Sequence, residues 1–436
     1  MDALPKLSNQ NSVQLSIPID KDAKNFSRYG LYPPFCPDAA AVPQNTEEVR
    51  DAVRLAAGQR APILPVGGGT SLWQGMEPVK GGLALSLKSM NKILEIRPNN
   101  LTAVVEAGVT NAQLQAALQP YGLRLPVLPA IPELSTLGGE AARNLGGPKN
   151  LRFGSLRHFV LGAEYVTAEG KIVRAGGKSV KNVAGYDLSS LVVGSWGTLG
   201  IITSLIIRLI PNPEQEKIFF TSYAQLKGAL IAASELLHAG LSPAAVHLLS
   251  PAQAAAIPDL HLPKGWLLVT ACDGTKESLA RHEAKIMSLG GHTSSKDTSA
   301  EMDAYWRQSV NAFNGRNTET DEIAGTISVP KKFAGETARE LAGLTENNVP
   351  SKLWVDLGTG RLRFALPAKG ANWGHLQTEL VRLASTHQGI LAMDNPLQIV
   401  RPTKPPAYYQ LLGRLKDTVD PFRILNPQAL VLKGVQ

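Results

Sequence analysis

Three consecutive glycines within the segment Pro65–Leu72 constrain this chain more than any other feature of its sequence. Glycine has no Cβ atom and adopts positive φ at little cost, so an anionic group can approach the main-chain N–H groups of Gly67–Gly69 closely. Thr70 and Ser71 add two hydroxyl donors directly after the glycines. The segment predicts a loop able to hold a diphosphate, although the same glycines are also typical of an ordinary tight turn.

Three familiar glycine motifs do not fit the spacing. A Walker loop needs glycine at the position of Ile172, ahead of Gly177-Lys178-Ser179. A dinucleotide-binding Rossmann fingerprint needs glycine where Leu72 stands. A nucleophile elbow needs glycine where Trp73 stands. The glycine segment therefore belongs to none of these three classes.

Length and composition limit the classes of protein further. A chain of 436 residues predicts two or three domains, and its hydrophobic fraction of 44% is typical of a soluble globular protein. The net charge of +8 comes without a Lys/Arg run, so we do not expect nucleic acid as a partner. A mildly basic surface suits an anionic ligand, an acidic partner or a membrane face.

The cysteine content and the N-terminus bear on location. Cys36 and Cys272 are the only cysteines, which excludes a disulfide framework, a zinc ribbon and an iron–sulfur cluster bound by this chain alone. We expect no metal site. Residues 1–20 lack a cationic segment followed by an apolar core, so we expect a cytoplasmic protein, with peripheral association at the inner membrane face left open.

One uncharged stretch, Leu188–Ile207, is about as long as a membrane span. It contains three glycines and several Ser and Thr residues, and charged residues stand on both sides of it. We interpret it as a buried helix, a turn and a strand.

The richest turn chemistry lies in residues 41–212, which we predict to be one domain after an N-terminal extension over residues 1–40. Asn45 is predicted to cap the helix Asn45–Ala57, with Glu48 at the third helical position. A second helix is predicted over Asn111–Tyr121 and ends at Gly122. Apolar runs predict strands, which are Ile63–Val66, Leu83–Leu87, Ile93–Arg97, Ala103–Glu106, the hairpin Val160–Thr167 and Lys171–Arg174, and the long strand Ile201–Ile210.

A regular alternation of strands and helices over residues 213–400 follows the boundary Pro211-Asn212-Pro213. The predicted order is twice close to β-α-β-β-α-β, which favours an antiparallel sheet with helices on one face. Residues 401–436 form a tail with one helix. The predicted elements are Ile218–Thr221, Tyr223–Ala239, Ala245–Leu249, Trp266–Ala271, Lys276–Leu289, Gly325–Val329, Ala334–Leu344, the hairpin Leu353–Leu366 and Trp373–His387.

Four glycine-rich elements in order resemble the FAD-binding domain of the vanillyl-alcohol oxidase superfamily, which is also called PCMH-type after p-cresol methylhydroxylase. Pro65–Leu72 resembles its diphosphate loop, Glu106–Val109 its next strand and turn, Ser135–Gly147 its second flavin-contacting loop, and Gly194–Thr203 its closing signature. The resemblance implies an α+β fold, in which an FAD-binding domain (41–212) precedes an α+β cap domain with ferredoxin-like units (213–400). It also implies that residues 401–436 return to the FAD-binding domain.

The resemblance further implies a set of cofactor-binding residues. They are Pro65, Val66, Gly67, Gly68, Gly69, Thr70, Ser71, Leu72, Ser135, Thr136, Gly138, Gly139, Asn144, Gly146, Gly197, Thr198, Gly200, Ile201 and Ile202. We expect Gly138 and Gly139 to supply a second surface of N–H donors, whereas Ser135 and Thr136 could either bind the cofactor or cap a helix that begins near Leu137. Since Pro65–Leu72 contains neither His nor Cys, we expect non-covalent FAD.

Two further segments are similar to one branch of the superfamily, the glycolate oxidase and D-lactate dehydrogenase branch. They are Lys181–Leu188 and the ending Asp420–Pro427. Within this branch the sequence is most similar to the FAD-binding E subunit of glycolate oxidase. That resemblance implies a catalytic flavoprotein subunit and an iron–sulfur subunit as partners, and a small 2-hydroxy acid as substrate.

The catalytic residues stay unknown. Catalytic members of the branch usually carry a histidine cluster, but the eight histidines here are scattered, and Trp196 stands where those members often carry Glu. Tyr305-Trp306-Arg307 resembles the start of the family's substrate-arginine segment, which makes Arg307 a weak candidate for binding a carboxylate; a surface arginine over Trp306 is the alternative. Lys181 and Tyr186 are weak candidates near the flavin, or have an ordinary structural role.

Three functions remain as hypotheses. The first is an FAD-binding subunit of a 2-hydroxy-acid dehydrogenase complex, whose flavin accepts hydride and passes electrons to partner subunits. The second is a self-sufficient FAD-dependent dehydrogenase of the D-lactate type. The third is a non-catalytic subunit that has kept only the fold.

Overall fold

The computed structural model describes residues 19–20, 27–28, 31, 36–72, 81–177, 188–255, 262–296, 304–307, 322–344, 352–367, 373–393, 406–427 and 429. Contacts divide the chain into two units. The first comprises Met1–Gly146, Ser155–Asn212 and Pro405–Gln436, and the second comprises Gly147–Gly154 and Pro213–Lys404.

The described residues contain nineteen β-strands, in chain order. They are β1 (Ile19–Asp20), β2 (Ala39–Ala41), β3 (Ile63–Val66), β4 (Leu83–Ser86), β5 (Ile93–Arg97), β6 (Thr102–Glu106), β7 (Leu123–Arg124), β8 (Val160–Val166), β9 (Ile172–Gly176), β10 (Ile201–Arg208), β11 (Ile210–Pro211), β12 (Gln215–Tyr223), β13 (Ala245–Leu249), β14 (Trp266–Gly274), β15 (His292–Lys296), β16 (Glu322–Ser328), β17 (Lys352–Asp356), β18 (Arg361–Pro367) and β19 (Ile390–Met393).

The α-helices with assigned bounds are α1 (Thr46–Gln59), α2 (Asn111–Leu118), α3 (Leu137–Arg143), α4 (Asn150–Phe153), α5 (Ser189–Val192), α6 (Leu226–His238), α7 (Pro251–Ala254), α8 (Lys276–Ser288), α9 (Ala334–Gly343), α10 (Trp373–Thr386) and α11 (Pro406–Val419). Short 3₁₀ turns cover Leu87–Ser89, Pro98–Asn100, Gln119–Tyr121, Leu156–His158 and Lys331–Phe333.

Two sheets organise the first unit. One has the order β1-β2-β4-β3, and its β4 pairs in parallel with both β2 and β3. The other is antiparallel, with the order β5-β6-β10-β8-β9, and a small ladder joins β11 to β7. Strand β3 is almost fully buried and ends at Val66, so the glycine segment begins where a parallel strand of the core leaves its sheet.

The sheet of the second unit has eight strands in the order β15-β12-β14-β13-β17-β18-β16-β19, all antiparallel. Strands β12 to β15 form one ferredoxin-like half, and strands β16 to β19 form a second half with the same internal order. The halves join edge to edge through β13 and β17, where His247 lies opposite Asp356. The predicted ferredoxin-like units are thus confirmed.

One hydrophobic core supports this sheet. Alternate residues of its strands, such as Val246 and Leu248 of β13, pack against alanine-rich faces of α6 and α9 and against the leucines of α8 and α10. Alanine lets a helix approach the sheet closely, while the period of two in each strand leaves the opposite face for other side chains. His247 and Trp354 belong to that opposite face.

For several elements the local sequence pattern is sufficient to predict the bounds. Strands β3, β5 and β13 have the predicted bounds, and Asn45 caps α1 by accepting a hydrogen bond from the N–H of Glu48. Strands β15 and β19 lie at the two ends of the eight-stranded sheet and were not predicted. Edge strands pair on one side only and tolerate polar residues, so their apolar signal is weak.

The stretch Leu188–Ile207 contains helix α5, a turn and most of strand β10, as predicted. Within the described part of the chain, no helix is long and apolar enough to cross a membrane.

The C-terminal segment, which we define as residues 406–427, packs in the first unit. Ile63 of β3 donates its N–H to the carbonyl of Ile424 and accepts from the N–H of Asn426. Lys416 of α11 and Asp420 form an ion pair with an Nζ–Oδ2 distance of 2.6 Å, and both side chains are essentially inaccessible to solvent. The C-terminal segment therefore belongs to the same core as β3, the strand that leads into the glycine loop, which we define as residues 67–71.

Candidate cofactor-binding site

A cleft lies in the first unit, where the glycine-rich segments meet. Its walls are mostly backbone and small apolar side chains. The lining residues are Pro65, Val66, Gly67, Leu87, Ala107, Thr136, Gly138, Gly139, Ala142, Trp196, Gly197, Gly200, Ile201 and Ile202. Three segments that are distant in sequence, 65–67, 136–142 and 196–202, thus contribute to one surface.

Close packing between two loops explains two of the three consecutive glycines. A Cβ atom added to Gly67 would clash with Oγ1 of Thr136, and one added to Gly68 would clash with the carbonyl oxygen of Leu134. Gly69 has φ +74°, a conformation that residues with a Cβ rarely adopt. The glycines are needed for the loop to fold against residues 134–136, whatever ligand the loop holds.

The backbone N–H groups of the glycine loop are a further feature of the site. Among the described residues, no backbone carbonyl accepts a hydrogen bond from the N–H groups of residues 67–71. The hydroxyl of Thr70 lies 3.3 Å from that of Ser135 and connects the two loops. A run of unpaired backbone N–H groups is the chemistry that binds a phosphate.

Helix α3 differs from our expectation of a second surface of N–H donors. Gly138 donates its N–H to the carbonyl of Ala107 at 2.8 Å, and the N–H of Gly139 points to Oγ1 of Thr136 at 3.4 Å. Thr136 is the N-cap of α3, so of the two roles left open by the sequence the capping role is the one the structure shows. The two glycines line the cleft because they lack side chains, and their N–H groups are already used.

The closing signature forms a tight loop against α3. The N–H groups of Gly194 and Trp196 donate to the carbonyls of Ala141 and Ala142. Trp196 has φ +57°, which is unusual for a residue with a bulky side chain, and Gly197 follows with φ +71°. Thr198 is buried, and its hydroxyl donates to the carbonyl of Ser195 at 2.6 Å.

Arg143 is a functional candidate that the sequence analysis missed. Its guanidinium donates to the hydroxyl of Ser71 at 2.8 Å and lies 5.6 Å from the centre of the Trp196 ring. This places a positive charge beside the glycine loop, where a phosphate would gain from it. Its position in the last turn of the helix that carries Gly138 and Gly139 was the only local signal.

The cleft collects about half of the predicted cofactor-binding residues. Those that line it are Pro65, Val66, Gly67, Thr136, Gly138, Gly139, Gly197, Gly200, Ile201 and Ile202. Those that do not line it are Gly68, Gly69, Thr70, Ser71, Leu72, Ser135, Asn144, Gly146 and Thr198. Asn144 ends α3 in a left-handed conformation and accepts from the N–H of Arg157, which is a structural role.

The structure describes one of the three catalytic candidates. Arg307 is partly exposed in the helical residues 304–307 of the second unit and is not among the residues lining the cleft. Lys181 and Tyr186 lie outside the described residues. In the described ranges, no group of three or more His, Cys, Asp or Glu residues could hold a metal ion.

In the second unit, Tyr305, two residues before Arg307, belongs to a buried hydrogen-bond network. Trp354 donates its indole N–H to the hydroxyl of Tyr305 at 3.2 Å, and that hydroxyl lies 3.1 Å from Nδ1 of His247. Nε2 of His247 faces the carbonyl of Pro148 at 3.1 Å, so this nitrogen carries the proton and Nδ1 accepts from Tyr305. Burial lowers the pKa of His247, which keeps the ring neutral and fully hydrogen-bonded.

Helix α3 also carries a buried carboxyl group. Glu140 is 4% exposed and accepts from the side-chain amide of Asn111 at 3.1 Å, while its Oε1 has no hydrogen-bond partner among the described residues. Burial raises the pKa of Glu140 well above the ordinary value of a glutamate. The folded protein therefore holds the Glu140 proton up to a higher pH than the unfolded chain does.

Replacing Glu140 by glutamine is expected to stabilise the protein, and more so at alkaline pH. Because its pKa is raised on folding, Glu140 holds a proton in the native state over a pH range in which the unfolded chain has released it. Stability of the wild type therefore falls as pH rises through this range. Thermal unfolding at acidic and alkaline pH should show a growing advantage of Glu140→Gln, whereas the exposed Glu47→Gln should show none. An advantage of equal size at both pH values would contradict the raised pKa.

The residues around the cleft suit FAD. The N–H groups of the glycine loop, the hydroxyl of Thr70 and the guanidinium of Arg143 suit the two charges of a diphosphate. The backbone and apolar side chains of Gly200, Ile201 and Leu87 suit a flat aromatic ring. Nothing in this donor set favours a sugar or a metal ion over a nucleotide.

Comparisons with known proteins agree with this geometry. A sequence profile described as an FAD binding domain matches residues 37–176, and one described as the C-terminal domain of FAD linked oxidases matches residues 212–359. Two solved structures share the fold. They are 4-ethylphenol oxidase from Gulosibacter chungangensis (TM-score 0.74, 18% identity, 94% of this chain and 93% of that chain) and p-cresol methylhydroxylase (TM-score 0.70, 17% identity, 96% and 94%).

Three curated relatives are informative. The glycolate oxidase subunit GlcD of Bacillus subtilis is 39% identical over 289 residues, which are 64% of this chain and 61% of GlcD, so the match spans less than two thirds of that protein. A D-lactate dehydrogenase of Archaeoglobus fulgidus is 29% identical over 407 residues, 90% of each chain. An uncharacterised FAD-linked oxidoreductase of Mycobacterium tuberculosis is 30% identical over 426 residues, 91% of each chain. This chain therefore belongs to the family of FAD-linked oxidoreductases with a PCMH-type FAD-binding fold.

Proposed function

We propose that this chain is the FAD-binding subunit of a glycolate (2-hydroxy acid) dehydrogenase or oxidase complex. In this proposal residues 41–212 and 401–436 form the FAD-binding domain and residues 213–400 the cap domain. Its partners are a catalytic flavoprotein subunit and an iron–sulfur subunit. The observation that carries the proposal is the group of donors beside the cleft of the first unit. They are the N–H groups of residues 67–71, which have no backbone acceptor among the described residues, and the guanidinium of Arg143, and together they suit a diphosphate.

Two features of the sequence support a subunit over a complete catalyst. Trp196 stands at the position before Gly197 where catalytic members of the branch often carry Glu, and the histidines do not form a cluster in the sequence. Two of the described histidines have structural partners: His247 is enclosed by Tyr305 and Pro148, and His387 lies 3.0 Å from Glu340. The relative GlcD is itself named as a subunit of a glycolate oxidase.

The residues of this chain would hold the cofactor and exclude water from it. The glycine loop and Arg143 would bind the diphosphate, and Gly197 and Ile201 would line the wall beside the adenine end. Bound FAD supplies a hydride acceptor for the oxidation of the carbon that carries the hydroxyl group. Arg307 stays a proposed carboxylate-binding residue, and no residue is assigned as the base.

A self-sufficient dehydrogenase is the second candidate. The match to a D-lactate dehydrogenase over 90% of both chains favours it, because that relative has a similar length. The two functions differ in what the purified chain does alone.

Anaerobic reduction of the flavin separates these functions. The purified, FAD-loaded chain is mixed with glycolate or D-lactate, and bleaching of the flavin absorbance is followed. The subunit proposal expects no rapid bleaching by the chain alone and rapid bleaching by the complex that co-purifies with it. Rapid bleaching by the chain alone supports the self-sufficient enzyme. A colourless chain that takes up no added FAD would overturn both and leave the non-catalytic subunit.

A further inference from the structure

The C-terminal segment holds the loop around Gly197 through two buried side chains. Asn426 donates its side-chain amide to the carbonyl of Trp196 at 2.5 Å, and Lys416 donates to the carbonyl of Thr198 at 2.7 Å. The side chains of Asn426 and Lys416 are 2% and 1% exposed. The two carbonyls on either side of Gly197 are therefore bound from the same segment.

These contacts act on a strained piece of backbone. Trp196 and Gly197 are both left-handed, and a bulky residue keeps such a conformation only where its surroundings impose it. Besides Asn426, the surroundings of Trp196 include the carbonyl of Ala142, which accepts its N–H at 2.7 Å, and the guanidinium of Arg143 over its ring. Strain of this kind is concentrated at functional sites.

Because the peptide bond is planar, the contacts at the two carbonyls also fix the direction of the N–H groups that follow them. In a trans peptide the C=O and the following N–H point in opposite directions. Because the carbonyls of Trp196 and Thr198 point to the C-terminal segment, the N–H groups of Gly197 and Leu199 point away from it. No backbone carbonyl within the described residues accepts a hydrogen bond from either N–H. Gly197 is also one of the residues that line the cleft.

We propose that Asn426 and Lys416 are positioning residues of the cofactor site, which hold the peptides around Gly197 so that the Gly197 N–H is presented to the bound nucleotide as a hydrogen-bond donor. This inference rests on the proposed function in so far as the nucleotide is FAD. The C-terminal segment thereby contributes to cofactor affinity without lining the cleft. If the Trp196–Gly197 peptide flips, the cleft is lined by a carbonyl oxygen in place of the N–H donor, and cofactor affinity falls.

Asn426 offers the cleaner test of the two residues. Its φ of +42° is accessible to glycine and aspartate, so Asn426→Gly and Asn426→Asp remove the donor without forcing the backbone. Aspartate has nearly the same shape, but it places an oxygen opposite the Trp196 carbonyl. Lys416→Met does not isolate this role, because removing one partner of a buried ion pair destabilises the fold itself.

The experiment is a titration of the apo full-length chain with FAD, followed by flavin fluorescence, together with thermal unfolding of the apo protein. We expect Asn426→Gly to raise the Kd for FAD by about tenfold and Asn426→Asp to raise it more, with nearly wild-type apo Tm for Asn426→Gly. The matched control is Asn100→Gly at an exposed position, which should leave Kd unchanged.

If Asn426 contributes only to stability, its variants should lower the apo Tm and leave the Kd for FAD nearly unchanged. If the apo Tm falls while the Kd of the folded protein stays within about twofold of wild type for both variants, the inference is overturned and the proposed function stands. If the wild-type chain binds no FAD, the proposed function fails and the inference fails with it.

Discussion

Replacing Gly68 by alanine is expected to raise the Kd for FAD by about 10- to 100-fold, which corresponds to about 1–3 kcal/mol of strain. The added Cβ would overlap the carbonyl oxygen of Leu134, and a backbone atom cannot move aside as a flexible side chain can. The glycine loop must then shift away from residues 134–136. That shift displaces the N–H donors of the loop from the position in which they would meet a diphosphate.

The matched control is Gly58→Ala in α1. A Cβ at Gly58 meets nothing within 4 Å, and alanine in a helix interior is more favourable than glycine by about 0.5–1 kcal/mol. This variant should therefore bind FAD like the wild type and unfold at a slightly higher temperature. Circular dichroism confirms the fold of both variants before Kd is measured. Wild-type affinity in Gly68→Ala would show that the contact between the two loops does not position the donors.

Replacing Lys416 by methionine is expected to lower the free energy of unfolding by about 3–5 kcal/mol, the largest effect on stability that we expect of one substitution in the first unit. The Nζ atom donates three hydrogen bonds, to Asp420, Thr198 and Leu425. Without it, the carboxylate of Asp420 keeps two backbone donors among the described residues, the N–H groups of Ile424 and Leu425. A buried charge is then left without its counter-charge.

Urea denaturation of the full-length chain measures this loss. The double variant Lys416→Met/Asp420→Asn removes both charges and should recover part of the lost stability, because no unpaired charge remains.

Lys285→Met is the control for the loss of a lysine. Lys285 pairs with Glu235 at 3.1 Å on the surface, where such a pair contributes about 0–1 kcal/mol. Equal losses of stability in Lys416→Met and Lys285→Met would contradict the buried ion pair.

Much of the architecture could be predicted from local pattern. Asn45 marked the start of α1, and Gly122 marked the end of the helical region that begins with α2. The order of strands and helices beyond Pro213 indicated the ferredoxin-like halves. The helix predicted over Asn111–Tyr121 ends as an α-helix at Leu118 and continues as a 3₁₀ turn to Tyr121. Such boundaries depend on hydrogen bonds at the helix end, which local composition describes poorly.

The sequence predicted which segments form the site. It predicted less well which groups in those segments can donate hydrogen bonds to a ligand. The glycines of residues 65–72 and 194–203 indicated two walls of the cleft. The sequence did not show that the N–H groups of Gly138 and Gly139 are already bonded, nor that Arg143 reaches Ser71. Both facts depend on partners outside the segment itself.

By itself the sequence determined the family resemblance and the glycine-rich segments, because these depend on residue types at short spacing. The tertiary structure decided which donors are free and which are bonded, and it placed Lys416 and Asn426 at the loop around Gly197. Asn426 and Trp196 are 230 residues apart in the chain, and Lys416 and Thr198 are 218 apart. No local pattern identifies a partner at such a distance, since only the packing of the C-terminal segment against β3 brings them together.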